Sequence, residues 1–217
     1  MQPRLPCPRP AGVVLDGRYA RLEPLAASHA PALYEASAGT DAAARFAYLP
    51  DLPPATTADM AAWIAKATAG IDPLFSAVID KATGRAAGRQ ALMRITPEHG
   101  VIEIGHILWG PAIARTRVAT EALYLAARHI FEDLGYRRFE WKCNDRNEPS
   151  KAAARRFGFR FEGLFRQHMW IKGANRDTAW FSMLDAEWPE FRREYDRWLA
   201  PSNFDAAGKQ QSKLQVL

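Results

Sequence analysis

The chain has 217 residues, 48% of them apolar and 24% charged, which suits one good-sized hydrophobic core and is short for two domains. Those values exclude disorder of the whole chain, and no apolar run approaches the roughly 20 residues of a membrane span. A net charge of +5 and a pI near 9.4 invite a nucleic-acid reading. Lys and Arg are scattered, however, and a positive field equally suits a ligand with several phosphates, so nucleic acid is disfavoured as a partner.

Residues 1–13 are Pro-rich and aperiodic and read as a disordered arm; prolines occupy the place where an export signal needs an apolar run. The two cysteines, Cys7 and Cys143, lie far apart, which disfavours a structural disulfide and suits a reducing cytoplasm. Alternation over 17–25 predicts a first strand, and 26–37 is helix-prone. Residues 38–56 carry Gly39, Pro50, Pro53 and Pro54 and read as a long loop, the kind of segment that is usually functional or mobile. A helix is expected over 56–68, then a strand over 74–79, a hairpin turn at 80–84 and a return strand over 85–95.

The most informative stretch runs from Val101 to Phe161. Val101–Trp109 is extended and largely apolar, and Gly110-Pro111 stops it. A short basic turn, Ala114 to Ala119, leads into a helix whose Leu123, Tyr124, Ala127, Ile130, Phe131 and Leu134 share one face, with Gly135 as terminator. From Tyr136 to Cys143 the period drops to two, with Phe139, Trp141 and Cys143 alternating with Arg138, Glu140 and Lys142. Asn147 stands where an N-cap belongs, and Pro149 falls in the first turn of a short helix. Beyond Gly158 two extended segments flank a turn at 173–175. A closing helix over 188–199 then turns Phe191, Tyr195 and Trp198 toward the core, and 200–217 reads as a loose tail. The domain proper is thus 14–199.

A turn rich in free backbone N–H groups between a strand and a helix start favours anions, and Arg115 and Arg117 add formal charge there. This order resembles the GNAT superfamily of N-acetyltransferases, most nearly its RimJ/RimL-like branch. The residues that carry the resemblance are Glu103-Ile104-Gly105, Thr120-Glu121-Ala122, Leu134-Gly135-Tyr136, Asn147 with Ser150, and Gly158-Phe159, with Glu162-Gly163, Arg176-Asp177 and Glu187-Trp188-Pro189 beyond. The resemblance implies an α/β (α+β) domain with a mixed, mostly antiparallel sheet of about seven strands and four or five helices. It also implies acetyl-CoA as donor and a primary amine, on a protein N-terminus or a small molecule, as acceptor. In that picture Ile107, Leu108 and Trp109 offer backbone groups to pantetheine, and Arg115, Thr116, Arg117, Val118, Ala119 and Thr120 hold the pyrophosphate. Asn147 and Ser150 complete the cofactor site.

Two departures stand out. Ala114 and Arg117 replace the Gln/Arg and the central Gly of the family's usual loop, and Ala154 stands where many relatives carry a tyrosine that protonates the departing thiolate. The catalytic candidates are therefore Glu103 as base and Ser150, one turn before Ala154, as proton donor. Each has a plainer alternative, an ion pair for Glu103 and a structural hydroxyl for Ser150, and Asn147 is equally explained as a cap alone. Arg45, Phe46 and Tyr48 of the long loop are substrate-side candidates or simply packed under it. His106 reads as a core histidine. No His or Cys pair has ligand spacing, so no metal is expected. A membrane partner is not expected either, and a homodimer is open. Two other classes compete, a non-catalytic acyl-CoA-binding module and a basic nucleic-acid-associated protein.

Overall fold

In strand β3 (Leu74–Asp80), Phe75, Ala77 and Ile79 alternate with the equally buried Val78, so the sheet that contains it must be covered on both faces. The computed structural model, which describes residues 4–216, shows that arrangement. The remaining strands are β1 (Leu15–Asp16), β2 (Ala20–Pro24), β4 (Arg85–Thr96), β5 (Val101–Trp109), β6 (Arg138–Asn144), β7 (Arg160–Ile171) and β8 (Ala174–Leu184). They form one eight-stranded sheet in the order β1-β2-β3-β4-β5-β6-β8-β7, and every neighbouring pair is antiparallel except β5 with β6. A parallel pair needs a crossover, and the helix α4 (Arg117–Arg128) supplies it.

Helices α1 (Ala30–Ser37) and α3 (Thr57–Ala67) pack Leu33, Met60 and Ile64 onto Phe75, Ala77 and Ile79 of one face. On the other face α4 is buried from Val118 through Ala127 and meets α6 (Trp188–Leu199) through stacked Tyr124, Trp188 and Tyr195. As the spacing predicts, Phe191, Tyr195 and Trp198 face the core. After α4 the chain slips into a π turn, His129–Asp133, and ends at Gly135, whose φ of +69° favours a residue without Cβ.

The sheet has eight strands rather than about seven because Leu15–Asp16, ahead of the first expected strand, folds back to pair with β2. The buried Glu121 carboxylate reaches across from α4 and accepts from the N–H groups of Arg18, Tyr19 and Ala20, at 2.9, 2.5 and 2.6 Å, bending the chain between β1 and β2. A Cβ on Gly17 would lie 2.6 Å from that carboxylate. Among the described residues there are also six α-helices, because the long loop contains α2 (Ala42–Phe46), built on Ala42-Ala43-Ala44.

The two ends differ from the loose segments expected. Residues 4–13 form no helix or strand, yet Cys7 is buried. Its N–H donates to the Pro97 carbonyl at 2.9 Å and its thiol to the Gly135 carbonyl at 3.3 Å. In the C-terminal segment Phe204 and Val216 are buried, and the Asn203 amide is bonded to Trp198 and Ser212. A few apolar side chains suffice to dock a segment that has no period of its own. No helix of the described residues is long and apolar enough to cross a membrane.

Candidate active site

Strands β5 and β6 pair only from Val101↔Arg138 to Ile104↔Trp141, although β5 runs on to Trp109 and β6 to Asn144. Beyond Ile104 and Trp141 the two strands part. The gap is continued by a second irregularity, on the β4 side of β5. The pairs Ala91↔Gly105 and Arg89↔Leu108 leave His106 and Ile107 facing Gln90 alone, a bulge with His106 at φ +51°. A bulge takes backbone groups out of the ladder, and here the His106 carbonyl accepts instead from Arg89 at 3.5 Å. The result is a cleft of about 530 Å³ lined by Ile104 through Trp109 on one wall and by Trp141 through Asn144, Asn147 and Ser150 on the other.

The helix α5 (Glu148–Arg156) begins at the cleft. Asn147 caps it by accepting from the Ser150 N–H at 3.2 Å, with Pro149 in the first turn. This seats Ser150 so that its Oγ accepts from the Trp141 indole at 3.0 Å. A hydroxyl already accepting in this way keeps its own proton to donate. Cys143 lies beside it. Burial pushes the Cys143 thiol up, and the Ser150 hydroxyl, then the Arg176 and Lys151 charges, oppose that shift.

The other end of the cleft is charged. Glu103, its side chain 4% exposed, accepts from Arg94 at 2.7 Å and from Lys142 at 2.9 Å, both on Oε2. Among the described residues Oε1 has no hydrogen-bond partner, and Glu103 lines the cleft. Lys142 also pairs with Glu140 at 2.7 Å, and Glu140 with Arg138, which in turn holds Glu162. The polar positions of β6 thus carry a chain of ion pairs whose centre, Lys142 and Glu140, is shielded from solvent. Glu103 and Glu140 stand side by side in the parallel register, and a carboxylate pair so placed requires a cation between them. The signal present in the sequence was the opposite charges two apart on a strand, Arg138-Glu140-Lys142. Its partner strand could not be known from spacing.

His106 lines the same cleft against the Phe75 ring. Burial and then the nearby Arg89 charge push its imidazole below the ordinary range, so it is neutral at pH 7.

At the other mouth of the cleft the chain turns through 110–116 into α4. Thr116 caps this helix by accepting from the Val118 N–H at 3.1 Å. Arg115 is exposed, with φ +64°. Val118, Ala119 and Thr120 are buried in the first turn, and Thr120 Oγ1 accepts from the Arg156 guanidinium at 3.1 Å. The Arg117 guanidinium lies over Tyr19 at 4.3 Å and Phe204 at 5.1 Å, fixed beside the C-terminal segment by its faces. Formal charge at the loop itself therefore comes chiefly from Arg115.

Of the substrate-side candidates, Arg45 is spent on structure. It donates to the carbonyls of Ala36, Ser37 and Ala38 at the end of α1 and pairs with Asp41. Phe46 is buried. Tyr48 lines the cleft and donates to the Arg146 carbonyl at 3.1 Å, tying the long loop to the start of α5. Lys172 donates to the carbonyls of Phe46 and Asp51, and the fully buried Arg89 pairs with Asp51 at 2.9 Å. The loop is pinned rather than free.

The site is thus a parted parallel strand pair with a helix start at one mouth and the Ser150 hydroxyl in the wall. The family model described as an acetyltransferase (GNAT) domain matches residues 20–160. The chain belongs to the GNAT acetyltransferase family. It is similar to the crystal structure of a GCN5-related N-acetyltransferase from Brucella melitensis at 57% identity and TM-score 0.95, covering 97% of this chain and 96% of that one. It is 31% identical over 115 residues to an uncharacterized N-acetyltransferase p20 of Bacillus licheniformis, a stretch that is 51% of this chain and 62% of that relative. With an apo structure of RimL, a ribosomal L7/L12 alpha-N-protein acetyltransferase, it shares 19% identity and a TM-score of 0.68, over 79% of this chain and 94% of that one; this is a likeness of fold.

Proposed function

We propose that the protein transfers the acetyl group of acetyl-CoA to a primary amine by direct attack on the thioester. The observation that carries this reading is the parting of β5 and β6 beyond Ile104 and Trp141, next to the bulge at His106. The donor, when bound, supplies an activated acetyl carbon and a thiolate leaving group.

The residues fit such a donor. Ile107, Leu108 and Trp109 line the gap on the edge of β5 that β6 leaves unpaired, and a backbone N–H there would polarise the thioester carbonyl. Thr116 through Thr120, with Arg115, form an amide-rich helix start for pyrophosphate. Asn147 holds α5 in place against the gap. The acceptor nitrogen must lose a proton as its bond to the acetyl carbon forms and the carbon–sulfur bond breaks. Glu103 Oε1 receives that proton through a water molecule, and the Ser150 hydroxyl donates a hydrogen bond to the departing sulfur, which takes its proton from water, so that Ala154 needs no replacement. The acceptor enters past Tyr48.

An amine panel incubated with acetyl-CoA, reading released thiol, tests the reading. Turnover on at least one amine with a measurable CoA affinity is expected. CoA binding without turnover on any amine would instead make the protein an acyl-CoA-binding module. Indifference to CoA, with steeply salt-dependent binding to DNA or RNA, would return the nucleic-acid reading.

A further inference from the structure

The charges around the reacting end of the cleft do not cancel. Arg94, Lys142 and Arg138 alternate with Glu103, Glu140 and Glu162 in one unbroken chain, three cations against three carboxylates. Arg45, the next cation on the cleft wall, is matched by Asp41 and three carbonyls. Arg176 is left over. It stands on β8, lines the cleft, and is fixed through its Nε, which donates to Thr178 Oγ1 at 3.1 Å. Thr178 is itself fully buried, so the guanidinium is held from a rigid point, and among the described residues its two terminal nitrogens have no hydrogen-bond partner. The one carboxylate that bears on it, Glu103, already carries two cations on Oε2. Burial lowers the Arg176 guanidinium from its ordinary value, which marks a cation that lacks a full counter-charge.

An ammonium acceptor would be repelled by such an end unless it brought an anion of its own. We propose that Arg176 is the anion-recognition residue of the acceptor site and that the acceptor is a primary amine bearing a carboxylate or phosphate group near its nitrogen. This rests on the acetyl-transfer reading above. It also explains how a site whose one wall carboxylate, Glu103, is already shared by two cations selects an amine, since a planar guanidinium takes a carboxylate or phosphate by a forked pair of bonds.

The test uses matched pairs with acetyl-CoA: glycine against glycinamide, β-alanine against β-alaninamide, and phosphoethanolamine against ethanolamine. Each pair is measured with the wild-type chain, Arg176→Lys and Arg176→Gln, after thermal melting shows the variants folded. The anionic member of at least one pair should lead by about 10- to 100-fold in kcat/KM, the range of a charge-assisted hydrogen bond. Arg176→Gln should abolish that lead mainly through KM, with CoA affinity unchanged, and Arg176→Lys should keep part of it. Carboxylate and phosphate arms separate the two anion types. Equal rates within every pair, a lead that survives Arg176→Gln, or an equal fall in kcat for both members would overturn the proposal; the last would place Arg176 on the leaving sulfur. Calorimetric titration of the same pairs without donor decides the proposal even if no thiol is released. Discrimination lost in Arg176→Gln supports it, absence of discrimination overturns it, and lack of CoA binding strikes only the acetyl-transfer reading.

Discussion

Glu103→Gln separates the structural from the chemical role of the buried carboxylate. The substitution keeps the shape but removes the charge that Arg94 and Lys142 share at 2.7 and 2.9 Å. Breaking a buried pair costs about 3–5 kcal/mol when a charge is left uncompensated. Here Lys142 retains Glu140 at 2.7 Å and the Arg94 side chain is 43% exposed, so about 1–2 kcal/mol is expected. For a chain of this length that lowers Tm by roughly 2–8 °C. Such a loss leaves the protein folded at 25 °C, since domains carry about 5–15 kcal/mol of stability. If Glu103 takes the acceptor's proton, turnover should nevertheless fall by about 10²-fold or more, with little change in CoA affinity. The control is Lys142→Met, which leaves the carboxylate in place and should cost at least as much stability but less than about tenfold in rate. Released thiol gives the rate, calorimetry the CoA affinity and thermal melting the stability. A fall of only a few-fold in Glu103→Gln, or rates in the two variants that track their melting temperatures, would show Glu103 to be an ion-pair partner and no base.

Charge reversal at Arg115 should weaken CoA by about 1.5–3 kcal/mol in calorimetry, whereas Arg117→Gln, whose wild-type ring stacking lies beside the C-terminal segment, should weaken it less. Glu121→Ala orphans three N–H groups at the β1–β2 bend and should cost about 3 kcal/mol or more in urea denaturation, with Glu121→Gln recovering little because one amide oxygen cannot serve three donors. The Arg138 guanidinium holds the Glu162 carboxyl down at about 2, so the unfolded chain binds the extra proton between about pH 4.5 and 2. Stability contributed by that group is present above this window and lost as pH falls through it. With Glu162 partly exposed it amounts to about 1 kcal/mol at most, and Glu162→Gln should flatten that part of the acid limb in melting curves.

Much of this protein was legible in local pattern. The strand Val101–Trp109, the helix closed by Gly135, the cap at Asn147 and the core face of Phe191, Tyr195 and Trp198 follow from periodicity and from which residues can end a helix. Those signals act over three or four residues, and they place the cleft's walls in the right order along the chain. Only the tertiary structure decided what the walls do. The alternation of Arg138, Glu140 and Lys142 with apolar residues does not say what lies beyond either side of the strand. The parallel register with β5 brought Glu103 against them and made a closed ion-pair chain. Arg45 looked like a ligand-side cation until α1 ended at its guanidinium, and Arg176 looked ordinary until every other charge near it found a partner. The same holds for Cys7 and Phe204, which have no neighbours in sequence that explain their burial. A charge or an apolar group carries its type in the sequence, but its counterpart is chosen by strand register and helix crossing, and these are set by the whole core at once.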